Sequence, residues 1–207
     1  MAALAAPIAL HRPLPAEEAA RGDFYALLAR FFVAPPDAAF LRNLASAPLV
    51  EGPGALGDAW RALVEASSAM DADAAAEEYE ALFAGVGKAR VSLYAGHYSG
   101  AAAIDHPRVR IQADLAVLGL GRHDSVTEPE DHFAGLFEAM RVLVAGGAGR
   151  SPATLAEQRR FFEAHVEPGG ARFCAAVCRV AESNYYRTVG AFAAAFLALE
   201  SESFQLD

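Results

Sequence analysis

The chain carries only two cysteines among 207 residues, too few for a disulfide framework or a four-thiolate zinc site. Cys174 and Cys178 lie four residues apart, on one side of any helix that holds them, and read as small buried apolar groups. Basic side chains are also scarce: 17 Lys and Arg against 26 Asp and Glu leave a net charge of −9. A nucleic-acid partner needs a basic face, so that class is excluded. The N-terminal stretch has no charged start, and Pro7 interrupts its short apolar run. It does not read as a secretory signal and is too short to span a membrane, which predicts a cytoplasmic protein without stable membrane insertion. Period-two alternation of Val, Ile and Thr is nearly missing, which removes a sheet as the organising element.

What is present is apolar and rich in alanine. Hydrophobic residues make up 54% of the chain, a mix that favours packed helices over disorder. The pattern predicts one all-α domain over residues 1–207, a bundle of about nine helices behind a flexible leader at 1–15. The first helix is expected at 17–33, with Phe24, Leu27, Leu28, Phe31 and Phe32 on its apolar face and Pro35 and Pro36 beyond it. Further helices are expected at 37–45, around Trp60 to Met70, at 72–83 and at 108–118. Gly146, Gly147 and Gly149 end a helix that starts near 127, and Ser151 with Pro152 opens the next. Pro168, Gly169 and Gly170 read as a break before 173–181 and 185–199. Between the helices, residues 88–107 are irregular and form a candidate binding loop or hinge. Exchange of helices about such a hinge leaves both a monomer and a domain-swapped dimer open.

Acidic charge is unevenly placed. Residues 51–85 hold eight acidic side chains against Arg61 alone, and residues 124–138 hold five with no Lys or Arg. A cationic peptide would be drawn to such regions. The most informative stretch is 127–140, T-E-P-E-D-H-F-A-G-L-F-E-A-M. Thr127 and Glu130 have capping-box spacing, Pro129 fits only a first turn, and Phe133, Leu136, Phe137 and Met140 make one apolar face. Asp131 and His132 are thereby expected in the first turn, where the dipole favours a carboxylate and an imidazole titrates near neutrality. Taken alone, Asp131 reads as a first-turn helix stabiliser and His132 as a half-buried surface histidine.

Several chemistries can be weighed against these residues. G-V-G-K at 85–88 lacks the earlier glycine and the following hydroxyl of a phosphate loop, since Leu82 and Ala89 stand there. A metal-dependent phosphohydrolase of the His-Asp type is a better rival, because His123 and Asp124 are adjacent and His97 or His106 could serve upstream. It lacks a downstream aspartate, because only Asp207 follows Asp131. No nucleophile elbow or catalytic-thiol signature is present. Asp131 and His132 are neighbours on a helix and point about 100° apart, so they do not orient each other as an acid–base dyad.

Four segments, in order, resemble the TorD/DmsD/NarJ family of molybdoenzyme chaperones. Glu78-Tyr79 through Leu82-Phe83 to Gly85 and Gly87 is similar to "E-Y-x-x-L-F-x-G-x-G". Leu93 to Tyr98 stands at the place of "P-Y-x-S-x-Y", with Leu93 for Pro and Gly96 for Ser. Glu128-Pro129-Glu130-Asp131-His132 with Met140 resembles "E-P-D-D-H … M", and Gln158, Phe161, Phe162 and His165 resemble "Q-x-x-F-F-x-x-H". The resemblance implies a non-enzymatic protein that binds the twin-arginine signal peptide and the apo-form of a molybdoenzyme subunit until its cofactor is inserted. It implies a peptide site at Glu128, Glu130, Asp131 and His132, with Tyr79, Phe83, Tyr94 and Tyr98 as apolar lining. Tyr79, Phe83 and Tyr98 read equally well as core. No motif here points to a nucleotide or molybdenum cofactor bound by this chain itself, and none is expected.

Overall fold

The computed structural model describes residues 14–50, 53–84, 89–98, 100, 107–121, 128–147 and 149–206. Among these there are nine α-helices and no strand. The leader up to residue 13 and the G-V-G-K stretch lie outside the described residues, as do Thr127, His106, His123 and Asp124.

Helix α1 (Ala16–Val33) forms where the apolar period predicts it. Glu17 and Glu18 in its first turn and Arg30 in its last suit the helix dipole, and the apolar face buries Tyr25, Leu28, Phe31 and Phe32. Asp37 caps α2 (Ala38–Ala45) by accepting the Phe40 N–H, and α3 (Ala55–Ala69) brings Trp60 within 5.3 Å of the Phe24 ring. Helix α4 (Ala72–Tyr79) runs into a π-helical turn at Glu80–Ala84, which turns both Leu82 and Phe83 inward. The rest are α5 (Pro107–Val117), α6 (Phe133–Ala145), α7 (Leu155–Phe161), α8 (Glu167–Arg179) and α9 (Tyr185–Leu206).

Two long pairings organise the bundle: α1 against α6, and α9 against α8 and α3. A Cβ added at Gly22, early in α1, would lie 3.1 Å from Ala145 at the end of α6. The Phe32 ring, late in α1, lies 6.1 Å from Phe137, early in α6. The two helices are therefore antiparallel. Phe32 also meets Phe83, Phe173 and Tyr186, so rings from four elements close on one point. Each such buried side chain is worth about 1.5–3 kcal/mol relative to exposure.

A polar clamp ties α1 to α9. Glu200 is 2% exposed, and Arg21 meets it through two parallel bonds of 2.8 Å while the Tyr25 hydroxyl donates at 2.9 Å. Burial and the carboxylate together push the Tyr25 hydroxyl well above its ordinary pKa. A carboxylate this deep is tolerable only because its lone pairs are met.

Three predicted boundaries move. Helix α6 begins at Phe133, not near 127, and its N-cap is His132. Asp131 and His132 therefore precede the first turn. The residues before it are committed elsewhere: their backbone pairs with residues 93–95, which extended chain can do and helix cannot. Helix α7 is opened by Thr154, whose hydroxyl and Glu157 form a full capping box, not by Ser151 and Pro152. Ala153 donates to the Leu143 carbonyl at 2.8 Å, tying that extended lead to α6. The break expected at Pro168, Gly169 and Gly170 is the start of α8, which follows α7 through a π-helical turn at Phe162–Val166. Pro168 costs little in a first turn. The glycines are contact points, since a Cβ at Gly169 would lie 3.3 Å from Tyr98 Cβ and one at Gly170 would lie 3.0 Å from Leu197.

Candidate functional site: a groove between α1, α5 and α6

Residues 93–95 and 131–133 face each other as a single antiparallel bridge, Tyr94 opposite His132. Ala95 N–H donates to Asp131 O at 2.8 Å, and Phe133 N–H donates to Leu93 O at 2.9 Å. His132 N–H closes a turn onto Pro129 O at 3.1 Å. Two segments far apart in the sequence thus make one structure at the head of α6. Its cap is unusual in being an imidazole: His132 Nδ1 accepts the Ala134 N–H at 3.2 Å, so that nitrogen carries no proton. Burial lowers the His132 pKa, against the pull of Glu128 and Asp131. The Tyr94 ring meets the imidazole edge-on at 5.4 Å, and its hydroxyl donates to Glu128 at 3.1 Å.

Beside this head lies a groove of about 620 Å³. Helix α1 contributes Ala26, Ala29, Arg30 and Val33 to it, one face at helical spacing, and α6 contributes Ala134, Gly135, Ala139 and Val142. Leu115 of α5, with Leu120 beyond it, makes the opposite wall. Its size is that of a small-molecule pocket, enough for one face of a peptide over about two helical turns. Glu128, Glu130 and His132 stand at the end where α6 begins, and Glu138 stands along the wall.

Glu130 and Glu138 are already engaged with guanidinium groups of described residues. Arg108, on α5, donates to Glu130 at 2.7 Å, and Arg141 holds Glu138 through bonds of 2.8 and 2.7 Å. A hydrogen bond from Gln112, with Arg108 behind it, holds the Glu130 carboxyl down at about 2. Helix α5 is pinned a second time by His165, a residue 6% exposed, whose Nε2 lies 2.7 Å from Asp114.

The predicted site residues therefore separate. Glu128, Glu130 and His132 line the groove, and Tyr94, which is 38% exposed, borders it through Glu128. Asp131 faces the other segment: its Oδ2 lies 3.1 Å from where a Cβ at Gly96 would stand. A side chain at 96 would make it give by a few tenths of an ångström. Tyr98 is buried, its hydroxyl on Ser92 O and its carbonyl on Arg172. Tyr79 and Phe83 are core residues under the head, the Tyr79 hydroxyl donating to Phe32 O at 3.2 Å. The small residues of α1 and α6 that form the floor were not anticipated, because a periodicity search weights large side chains. Among the described residues, no group of three or more His, Cys, Asp or Glu is placed to hold a metal ion. The two cysteines are free, and burial pushes the Cys174 thiol up to about 12.

Compared with protein families, the model described as nitrate reductase delta subunit matches residues 51–175, more than half of the chain. The chain belongs to the nitrate reductase delta subunit family. This is the NarJ-type group that the four segments resemble, a family of molybdoenzyme maturation chaperones. Comparison with curated proteins finds no match. All four segments lie inside the matched span, and in this member of the nitrate reductase delta family they do different work. Glu78 accepts backbone N–H groups at the start of α9, and Tyr79 and Phe83 fill the core. The second and third segments build the head of α6. In the fourth, Phe161 and Phe162 are buried and His165 fastens α5. No helix among the described residues is long and apolar enough to cross a membrane.

Proposed function

We propose that this protein binds the twin-arginine signal peptide of a molybdenum-cofactor oxidoreductase in the groove between α1, α5 and α6. It holds that peptide in the cytoplasm until the cofactor is inserted, and so delays export. The observation that carries the reading is the pairing of an apolar floor with a carboxylate end that already accepts a guanidinium, that of Arg108 on Glu130. A signal peptide offers the complementary order, arginines beside an apolar run. Guanidinium and carboxylate meet with two hydrogen bonds, and the floor of small side chains admits a peptide backbone closely. Glu128 and Glu130 are the acceptors, Tyr94 orients Glu128, and His132 fixes the end of α6 on which both depend. Asp131, Tyr79, Phe83 and Tyr98 support that head from behind and beneath. The chaperone role of the family favours this reading over the phosphohydrolase.

Calorimetric titration with a synthetic twin-arginine signal peptide, beside one with both arginines changed to alanine, tests it. Binding should depend on the arginines and weaken about tenfold in Glu128→Gln, with a smaller loss in Asp131→Asn. A panel of such peptides that binds no better than the alanine controls would sink the reading.

A further inference from the structure

Three helical glycines of this protein have visible reasons. A Cβ at Gly22 would stand 3.1 Å from Ala145, one at Gly170 would stand 3.0 Å from Leu197, and one at Gly190 would stand 2.9 Å from Cys178. Each marks a place where two helices touch. Gly135 has no such reason. It lies in the first turn of α6, is exposed, has no left-handed backbone, and among the described residues a Cβ there would find nothing nearer than the Glu130 carbonyl at 4.0 Å. Within a helix a glycine is less favourable than alanine. Neither its backbone conformation nor a packing contact among the described residues offsets that cost. What the missing side chain leaves open is the groove, at the end where Glu128 and Glu130 stand.

We infer that Gly135 is the specificity-determining position of the groove, an open seat for one bulky apolar side chain that lies next to an arginine of the bound peptide. The inference rests on the peptide-binding reading above and adds which residue selects the ligand. The seat adjoins the backbone of Glu130, so its occupant must be a near neighbour of the residue that pairs with the carboxylates. Ala134 and Ala139 on the same helix and Ala29 on α1 keep the surrounding floor low. Large aliphatic or aromatic side chains gain most from such a seat, and one or two missing methylenes reduce affinity by a factor of ten or more.

The test pairs two proteins with two peptides. One synthetic twin-arginine peptide carries leucine beside the arginines, and the other carries alanine there. The natural protein should bind the leucine peptide about tenfold more tightly. Gly135→Leu should bind that peptide at least tenfold more weakly and lose the preference, while Gly135→Ala falls between. Both variants should melt at or above the temperature of the natural protein, because they add helix propensity where no described residue collides. Unchanged affinity and preference in Gly135→Leu would overturn the inference and leave the groove reading intact. Failure of the natural protein to bind either peptide would remove the groove reading and the inference together.

Discussion

The Glu78 carboxylate accepts the Tyr186 backbone N–H at 2.7 Å, across 108 positions of sequence. The same group takes the N–H of Asn184 at 2.8 Å and of Tyr185 at 3.0 Å. A helix begins with N–H groups that lack partners, and here a residue of α4 meets three of them at the head of α9. Glu78→Ala should cost about 1.5–3 kcal/mol, the range for a hydrogen bond to a charged group, since the orphaned N–H groups regain water only in part. Glu78→Gln should cost less, because one oxygen remains. Urea unfolding of both variants measures the difference, and equal losses would show that charge is irrelevant there.

The clamp of Arg21, Tyr25 and Glu200 makes an asymmetric prediction. Removing one ion of a buried pair strands the other, so Glu200→Ala should destabilise by about 3–5 kcal/mol. Replacing both, as Arg21→Met with Glu200→Leu, should recover most of that loss. A double variant as unstable as the single one would mean that the charges themselves, not their mutual satisfaction, are required.

Acidification should weaken the fold through two imidazoles. Burial lowers the pKa of His132 and His165 below the ordinary 6.5. Below 6.5 the unfolded chain therefore takes up protons that the folded state refuses. Stability is full above that pH and is lost as the pH falls from about 6.5 towards the folded values. Urea midpoints between pH 7.5 and 5.5 should fall, and His165→Phe should flatten part of the slope. A midpoint that rises on acidification in this window would contradict the buried neutral state of both rings.

Arg108 competes for the carboxylate that the peptide reading assigns to a ligand. Arg108→Gln should therefore raise affinity for the twin-arginine peptide several-fold, and should not raise it for the alanine control. Glu130→Gln should abolish that gain. Titrations of the two single variants and the double variant decide it; weaker binding in Arg108→Gln would mean that α5 must stay pinned for the groove to exist.

Most of the helical framework was legible because it is written in large side chains. Phe24, Leu28, Phe31 and Phe32 repeat at helical steps, as do Tyr185, Val189, Phe192 and Phe196, and the helices lie where those steps put them. The two misplaced starts have different causes. Thr127 with Glu130 satisfies a local helix-start rule, but pairing of residues 93–95 with 131–133 moves the start to His132. Thr154 with Glu157 is itself a local capping box, a signal in the sequence that Ser151 with Pro152 overshadowed. Gly169 and Gly170 look like punctuation to any local rule, since the Tyr98 and Leu197 side chains that need their space come from distant segments. The carboxylates of the groove were visible from charge alone. Its floor was not, because Ala29, Gly135 and Ala139 are informative only for what they leave empty.

The bond between Arg21 and Glu200 joins residues 179 positions apart. During synthesis at about 5–20 residues per second, the first helix waits roughly 10–35 s for that partner. Throughout that interval Phe31, Phe32 and Tyr25 have no α9 to cover them. A member of a chaperone family thus emerges with α1 uncovered, and mass action makes that exposure more hazardous the faster it is expressed.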